Sequence, residues 1–201
     1  MDPGELDAYL DRVLIGDREP GPVTLAEWDP AWSARFERER ERIRQALGDV
    51  ARRVEHIGST SVAGLAAKPI VDILVTVPDA DDEGAVVESL VSAGYVLRVR
   101  EPGHRLFRTP DVGVHVHVLA DRDPEADRYL MFRDRLRFSA EDRIAYERLK
   151  RDLARATGTT LVTMRRPRGR LSRRSSPVRP ALEPSTRLRT TLPRSARPAR
   201  A

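Results

Sequence analysis

Residues Val54–Val75 read VEHIGSTSVAGLAAKPIVDILV, and this stretch decides the fold. Its character changes three times. Arg53–Ile57 reads as a strand. Gly58-Ser59-Thr60-Ser61 follows as a turn. Val62–Ala67 predicts a short helix stopped at Lys68-Pro69, because proline lacks an N–H and restricts the residue before it. Ile70–Val77 is the clearest strand in the chain, eight residues that are mostly β-branched.

The pattern extends in both directions. Upstream, Asp29-Pro30 suits a helix start, with Asp as cap and Pro in the first turn. Trp32, Phe36, Ile43 and Leu47 then form an apolar stripe, predicting a helix over Pro30–Leu47 that ends at Gly48. Val23–Leu25 suggests a brief strand. Residues 1–22 form an N-terminal arm in which Leu6, Leu10, Val13 and Leu14 have helical spacing before the break at Pro20-Gly21-Pro22. Downstream, a helix is expected over Glu83–Ala93 and strands over Tyr95–Arg100, Arg105–Arg108 and Val112–Leu119. Helices follow over Pro124–Phe138 and Ala140–Thr157, with Arg148 and Asp152 spaced to pair. This order predicts an α+β (mixed α/β) domain over 23–157, a small mixed sheet flanked by helices.

Composition sets limits on function. The chain has 201 residues and no cysteine, which rules out disulfides, thiolate zinc sites and a cysteine nucleophile. No run approaches the roughly 20 apolar residues of a membrane span, and the acidic start lacks the features of a signal peptide. A cytoplasmic protein without membrane partners is expected. The net charge of +5 conceals an asymmetry. Arg165–Ala201 holds 12 arginines and one acid, so removing its +11 leaves −6 on the rest. A basic nucleic-acid-binding domain is therefore not expected in the folded part. The Arg/Pro/Ser-rich segment 158–201 cannot bury enough apolar surface to offset its ordering entropy and is read as a disordered tail. Its arginines could hold nucleic acid only non-specifically.

Two strands carry the candidate chemistry. Asp72 interrupts an apolar strand, where a charge is costly unless paired or in a cleft. Alternation puts Asp72, Leu74 and Thr76 on one face. In Val114–Val118, His115 and His117 share a face, and two imidazoles there can hold a metal or relay a proton. Gly58, Ser59, Thr60 and Ser61 offer a close backbone approach, hydroxyls and a helix start for phosphate binding. Lys68, Arg105 and Arg108 could add charge to it. The candidate set is Asp72 and His117 for catalysis, Gly58, Ser59, Thr60, Ser61 and Lys68 for nucleotide, and Asp72, His115 and His117 for a divalent metal (Mg, Mn or Zn).

HIGSTSVAGLAAKPIVDILV resembles the signature of the GrpB family. Trp28-Asp29-Pro30-Ala31-Trp32, the His115–His117 strand, Phe132–Arg137, and Tyr146 with Leu149-Lys150 extend the resemblance over about Pro22–Ala156. It implies a nucleotidyltransferase-like fold, with Gly58 and Ser59 as the glycine-serine turn and Asp72 as the first metal-binding acid. In some bacteria a GrpB-like domain is fused to dephospho-coenzyme A kinase. The implied activity is nucleotidyl transfer from a nucleoside triphosphate with a divalent metal. The alternative is a non-catalytic module binding a nucleotide or a coenzyme-A-related molecule. The chain departs from the pattern in having Leu74 where a second acid is implied, His115 and His117 where a third is, and Ala63 for proline. An arginine-proline tail stands in place of a further helical segment, as either a reading-frame change near Thr157–Thr159 or a divergent natural tail would leave it.

Overall fold

The computed structural model describes residues 3–16 and 24–157. These all lie within the first of the two units into which the chain divides, Met1–Met164. The tail 158–201 and its proposed change of frame lie outside the described residues, as does Val23.

Five strands form one mixed sheet: β1 (Arg53–Ile57), β2 (Val71–Val77), β3 (Val96–Glu101), β4 (His104–Arg108) and β5 (Val114–Ala120). Their order is β1-β2-β5-β4-β3. β2 and β5 run parallel, and the other neighbours run antiparallel. Helices cover both faces, so the expected α+β architecture, a small mixed sheet flanked by helices, is what forms.

Alternation along β2 sorts the two faces. Val71, Ile73, Val75 and Val77 join Val114, Val116 and Val118 of β5 against α2 (Ala31–Leu47). From α2 the predicted stripe of Trp32, Phe36, Ile43 and Leu47 meets them. A π-helical turn, Glu83–Glu88, and α3 (Ser89–Ser92) complete this layer through Val86, Val87 and Leu90. On the other face Leu74, Ile57 and Leu119 pack beneath Ala126, Tyr129 and Leu130 of α4 (Pro124–Phe138). α4 starts where Asp123 accepts from the Glu125 N–H and Pro124 needs no hydrogen bond.

The N-terminal stretch forms α1 (Pro3–Val13). Leu14 bridges Val99, and the Ile15 N–H donates to Arg98 O at 2.8 Å. This partly covers β3, an edge strand already irregular between Leu97 and Val99. The strand expected over Val23–Leu25 does not form in its described part: Thr24 and Leu25 are irregular, and Ala26 makes a single bridge to Ala67. Asp152 pairs with Arg155 at 3.0 Å, and Arg151 with Glu147 at 2.7 Å, along α5 (Ala140–Thr157), in place of the expected partnership with Arg148.

One helix predicted from the deciding segment is not there. Ser59–Ser61 is a single 3-10 turn, and Val62–Ala67 is loop. Six residues cannot sustain a helix alone, and Gly64 takes φ +75°, outside helical space. Tertiary packing holds the loop instead. Val62 and Leu65 are buried with Leu136 of α4 and Tyr146 of α5. Ala67 and Ala26 exchange backbone hydrogen bonds at 2.8 and 2.9 Å. The phosphate-binding helix end expected after Ser61 is therefore absent.

His56 fixes the loop from the α2 side. Its ring stacks on Phe36 at 4.8 Å, and its Nε2 lies 3.1 Å from Thr60 Oγ1. Thr60 spends its proton on Ile70 O, so the imidazole must donate through Nε2–H. Burial, reinforced by Arg137, lowers the His56 pKa from 6.5 to about 4, against the opposing pull of Asp72.

Two predictions follow from this packing. Ile73, fully buried at the centre of the sheet, should cost about 2–5 kcal/mol on Ile73→Ala in urea denaturation. The second concerns acid. Above pH 6.5 His56 is neutral in both states. Below it the unfolded chain takes up a proton that the folded state refuses until about pH 4, so stability falls across that window. Melting midpoints of the wild type should drop more steeply from pH 6.5 to 4 than those of His56→Gln. Parallel profiles would show that His56 is not the group responsible.

Candidate functional site

The parallel register of β2 and β5 pairs Asp72 with His115 and Leu74 with His117. All four side chains therefore share the face beneath α4. Asp72 Oδ1 lies 3.5 Å from His115 Nδ1 and 3.6 Å from His117 Nε2. At those lengths they are long polar contacts rather than tight hydrogen bonds. Burial pushes the Asp72 carboxyl up, but the two imidazoles outweigh it and hold the pKa well below the usual carboxylate range. The side chain keeps 30 % exposure, against 28 % for His115 and 11 % for His117, so the cluster opens to solvent on the Asp72–His115 side.

Gly58 closes directly on Asp72. Its φ of +69° favours glycine, and a Cβ there would run into the carboxylate. The three hydroxyls after it have different fates. Thr60 points into the core, and Ser61 Oγ donates to Gly58 O at 2.6 Å. Only Ser59 turns toward α5. Lys150 Nζ donates to Ser59 Oγ at 2.8 Å and to Ala66 O at 2.9 Å, 5.4 Å from the Tyr146 ring centre. Burial raises the Tyr146 pKa, and Ser59 opposes that rise. Burial lowers the Lys150 pKa to about 8, against the opposing influence of Glu147 and Asp72.

α4 staples the same turn. Arg137 donates to Ser61 O through Nε and Nη2 at 3.1 and 2.9 Å. Arg133 reaches Glu55 at 2.8 Å and His56 O at 3.2 Å. Behind the cluster, His104 stacks on His117 with ring centres 6.0 Å apart and holds Glu101 through Nδ1 at 2.8 Å.

The structure thus brings Gly58, Asp72, His115 and His117 together, with Ser59 on the same turn. Thr60 and Ser61 serve the turn's own hydrogen bonds, and Lys68 is exposed. Arg105 lies on the opposite face of β4, bound to Asp81 and Glu83 at 2.8 Å, whereas Arg108 is the cross-strand partner of His115. Lys150 and Tyr146 were legible only as parts of a motif. Their i, i+4 spacing puts them on one helix face, but nothing local says that this face meets Ser59, 91 residues earlier.

Among the described residues no three His, Cys, Asp or Glu side chains form a ready metal cage. Asp72 and the two imidazoles give two donor pairs sharing one oxygen, at 3.5 and 3.6 Å. Donors about 2.1 Å from a tetrahedral ion lie about 3.4 Å apart, so these pairs have a suitable separation. Imidazoles suit zinc or manganese better than magnesium. Leu74 is fully buried with Ile57, Leu119 and Ala126. An acid there would lie under α4, away from solvent.

A family model described as GrpB protein matches residues 22–165. A UPF0157 protein of Halalkalibacterium halodurans is 48% identical over 153 residues, covering 74% of this chain and 78% of that protein. Another, from Streptomyces coelicolor, is 53% identical over 141 residues, covering 70% and 75%. The crystal structure of conserved protein GrpB from Enterococcus faecalis aligns with a TM-score of 0.60 at 36% identity, over 66% of this chain and 84% of that one. The matched region contains the Gly58 turn, Asp72, the paired histidines and Lys150, and the chain that carries them belongs to the GrpB family.

Proposed function

We propose that the protein is a nucleotidyltransferase acting on a nucleoside triphosphate with one divalent metal, its acceptor unassigned. The observation that carries this reading is the Asp72 carboxylate, set under the close approach of Gly58 and flanked by two imidazoles. Asp72, His115 and His117 would hold the metal, which when bound would neutralise phosphate charge and polarise a phosphoryl oxygen. Gly58 leaves room for the Asp72 carboxylate against the turn. Ser59 supplies a hydroxyl, and Arg137 supplies positive charge on the same turn. Lys68, exposed before β2, is the remaining candidate for a distal phosphate. A nucleoside triphosphate as substrate fits a cytoplasmic protein.

A second reading is favoured by Leu74. With that position sealed beneath α4, the chain has one acid where a two-metal site needs more. A module that binds a nucleotide or a coenzyme-A-related molecule without turning it over needs no second acid.

Thermal shift separates binding from its absence. At about 100 times Kd, ATP with Mn²⁺ or Zn²⁺ should raise the melting midpoint by about 5–10 °C. Asp72→Ala should abolish the metal-dependent part, and Gly58→Ala should weaken it by displacing the carboxylate. An unchanged shift in Asp72→Ala would overturn the assignment. Release of pyrophosphate from labelled triphosphate distinguishes the transferase from the binding module.

A further inference from the structure

We propose that Ser59 is a nucleophile, with Lys150 as its base, and accepts the nucleotidyl group of a nucleoside triphosphate as a covalent serine phosphodiester. This rests on the site taking a nucleoside triphosphate, and it adds an intermediate that binding alone does not require.

The hydroxyls of the turn are not equivalent. Thr60 and Ser61 each give their proton to a backbone carbonyl. Ser59 is half-buried, and its Oγ accepts from the Lys150 amine. The turn presents it abruptly: Gly58 has φ +69° and ψ −175°, and the chain leaves β1 directly into a single 3-10 turn. A hydroxyl on a sharp turn after a strand, within hydrogen-bond reach of a base, is the arrangement that activates serine nucleophiles on unrelated folds.

Lys150 suits the role of base. Its side chain is buried, and both of its hydrogen-bond acceptors are neutral oxygens, Ser59 Oγ and Ala66 O. Neither stabilises an ammonium as a carboxylate would. With its pKa near 8, about a tenth of the amine is neutral at pH 7. Ala66 O fixes the amine in place.

The step balances. Ser59 Oγ attacks phosphorus and forms an O–P bond. The bond from phosphorus to the leaving oxygen breaks, releasing pyrophosphate when the α-phosphorus of a triphosphate is attacked. The Oγ proton passes to neutral Lys150 Nζ, which becomes ammonium.

The test uses the full chain and two electrophiles, a fluorophosphonate and ATP labelled at the α-phosphate, read by intact-mass and peptide mass spectrometry. A fluorophosphonate adduct on Ser59 is expected, one per chain, and lost in Ser59→Ala. Lys150→Met should slow labelling at least about tenfold, and Lys150→Arg equally, since guanidinium keeps the charge but cannot take a proton. Melting curves check that each variant is folded, and if a Lys150 variant is not, the wild-type adduct and Ser59→Ala decide. No adduct, an adduct elsewhere, or full labelling in a folded Lys150→Arg overturns the proposal. The last outcome would make Lys150 a charge that holds phosphate. A fluorophosphonate adduct without transfer from ATP, in a protein that ATP does not stabilise, would keep the nucleophile and remove the nucleotide.

Discussion

The cost of placing one carboxylate in an apolar strand organises the site. Asp72 sits in β2, a strand whose other residues are almost all buried. Such a charge must find partners or remain wet. It does both: His115 and His117 reach it from β5, and the cleft leaves it partly exposed. Gly58 must then lack a side chain, because any Cβ would occupy the space of the carboxylate. Asp72 also acts beyond its contacts, opposing the depression of the His56 and Lys150 pKa values.

Histidine does opposite work on the two faces of this sheet. His56, on the α2 side, is stacked, hydrogen-bonded and held neutral by burial, and it serves the fold. His115 and His117, on the α4 side, meet a carboxylate next to solvent. Residue type does not separate these roles. The period-2 alternation of the strand does, because it assigns each imidazole to a dry layer or to a cleft.

This is also why the sequence was informative for some parts and silent on others. Alternation in β2 and β5 and the 3.6-residue stripe of α2 report burial directly, so Asp72, both histidines and the α2 core could be placed without coordinates. Val62–Ala67 misled because its apolar residues are buried by α4 and α5 rather than by periodicity of its own. Thr60 and Ser61 were read as phosphate ligands, because residue type alone does not reveal that their hydroxyls donate to the Ile70 and Gly58 carbonyls. Arg105 looked free for phosphate and is instead held by Asp81 and Glu83, 24 and 22 residues before it. Lys150 was hidden for the same reason in reverse, its partner lying 91 residues away.

The link from α5 to the turn gives the site a second side, independent of the sheet. Asp72 and the histidines are fixed by strand register, which cannot shift without turning the faces over. Lys150 and Tyr146 are fixed only by how α5 lies against the turn. That contact is small, a few hydrogen bonds and the cluster of Val62, Leu65, Leu136 and Tyr146. Elements held by few buried contacts open at lower free energy than a sheet core. The sheet thus sets the acid–imidazole floor, while the Ser59 and Ala66 hydrogen bonds set Lys150 on the turn, so the two sides of the site answer to different packing.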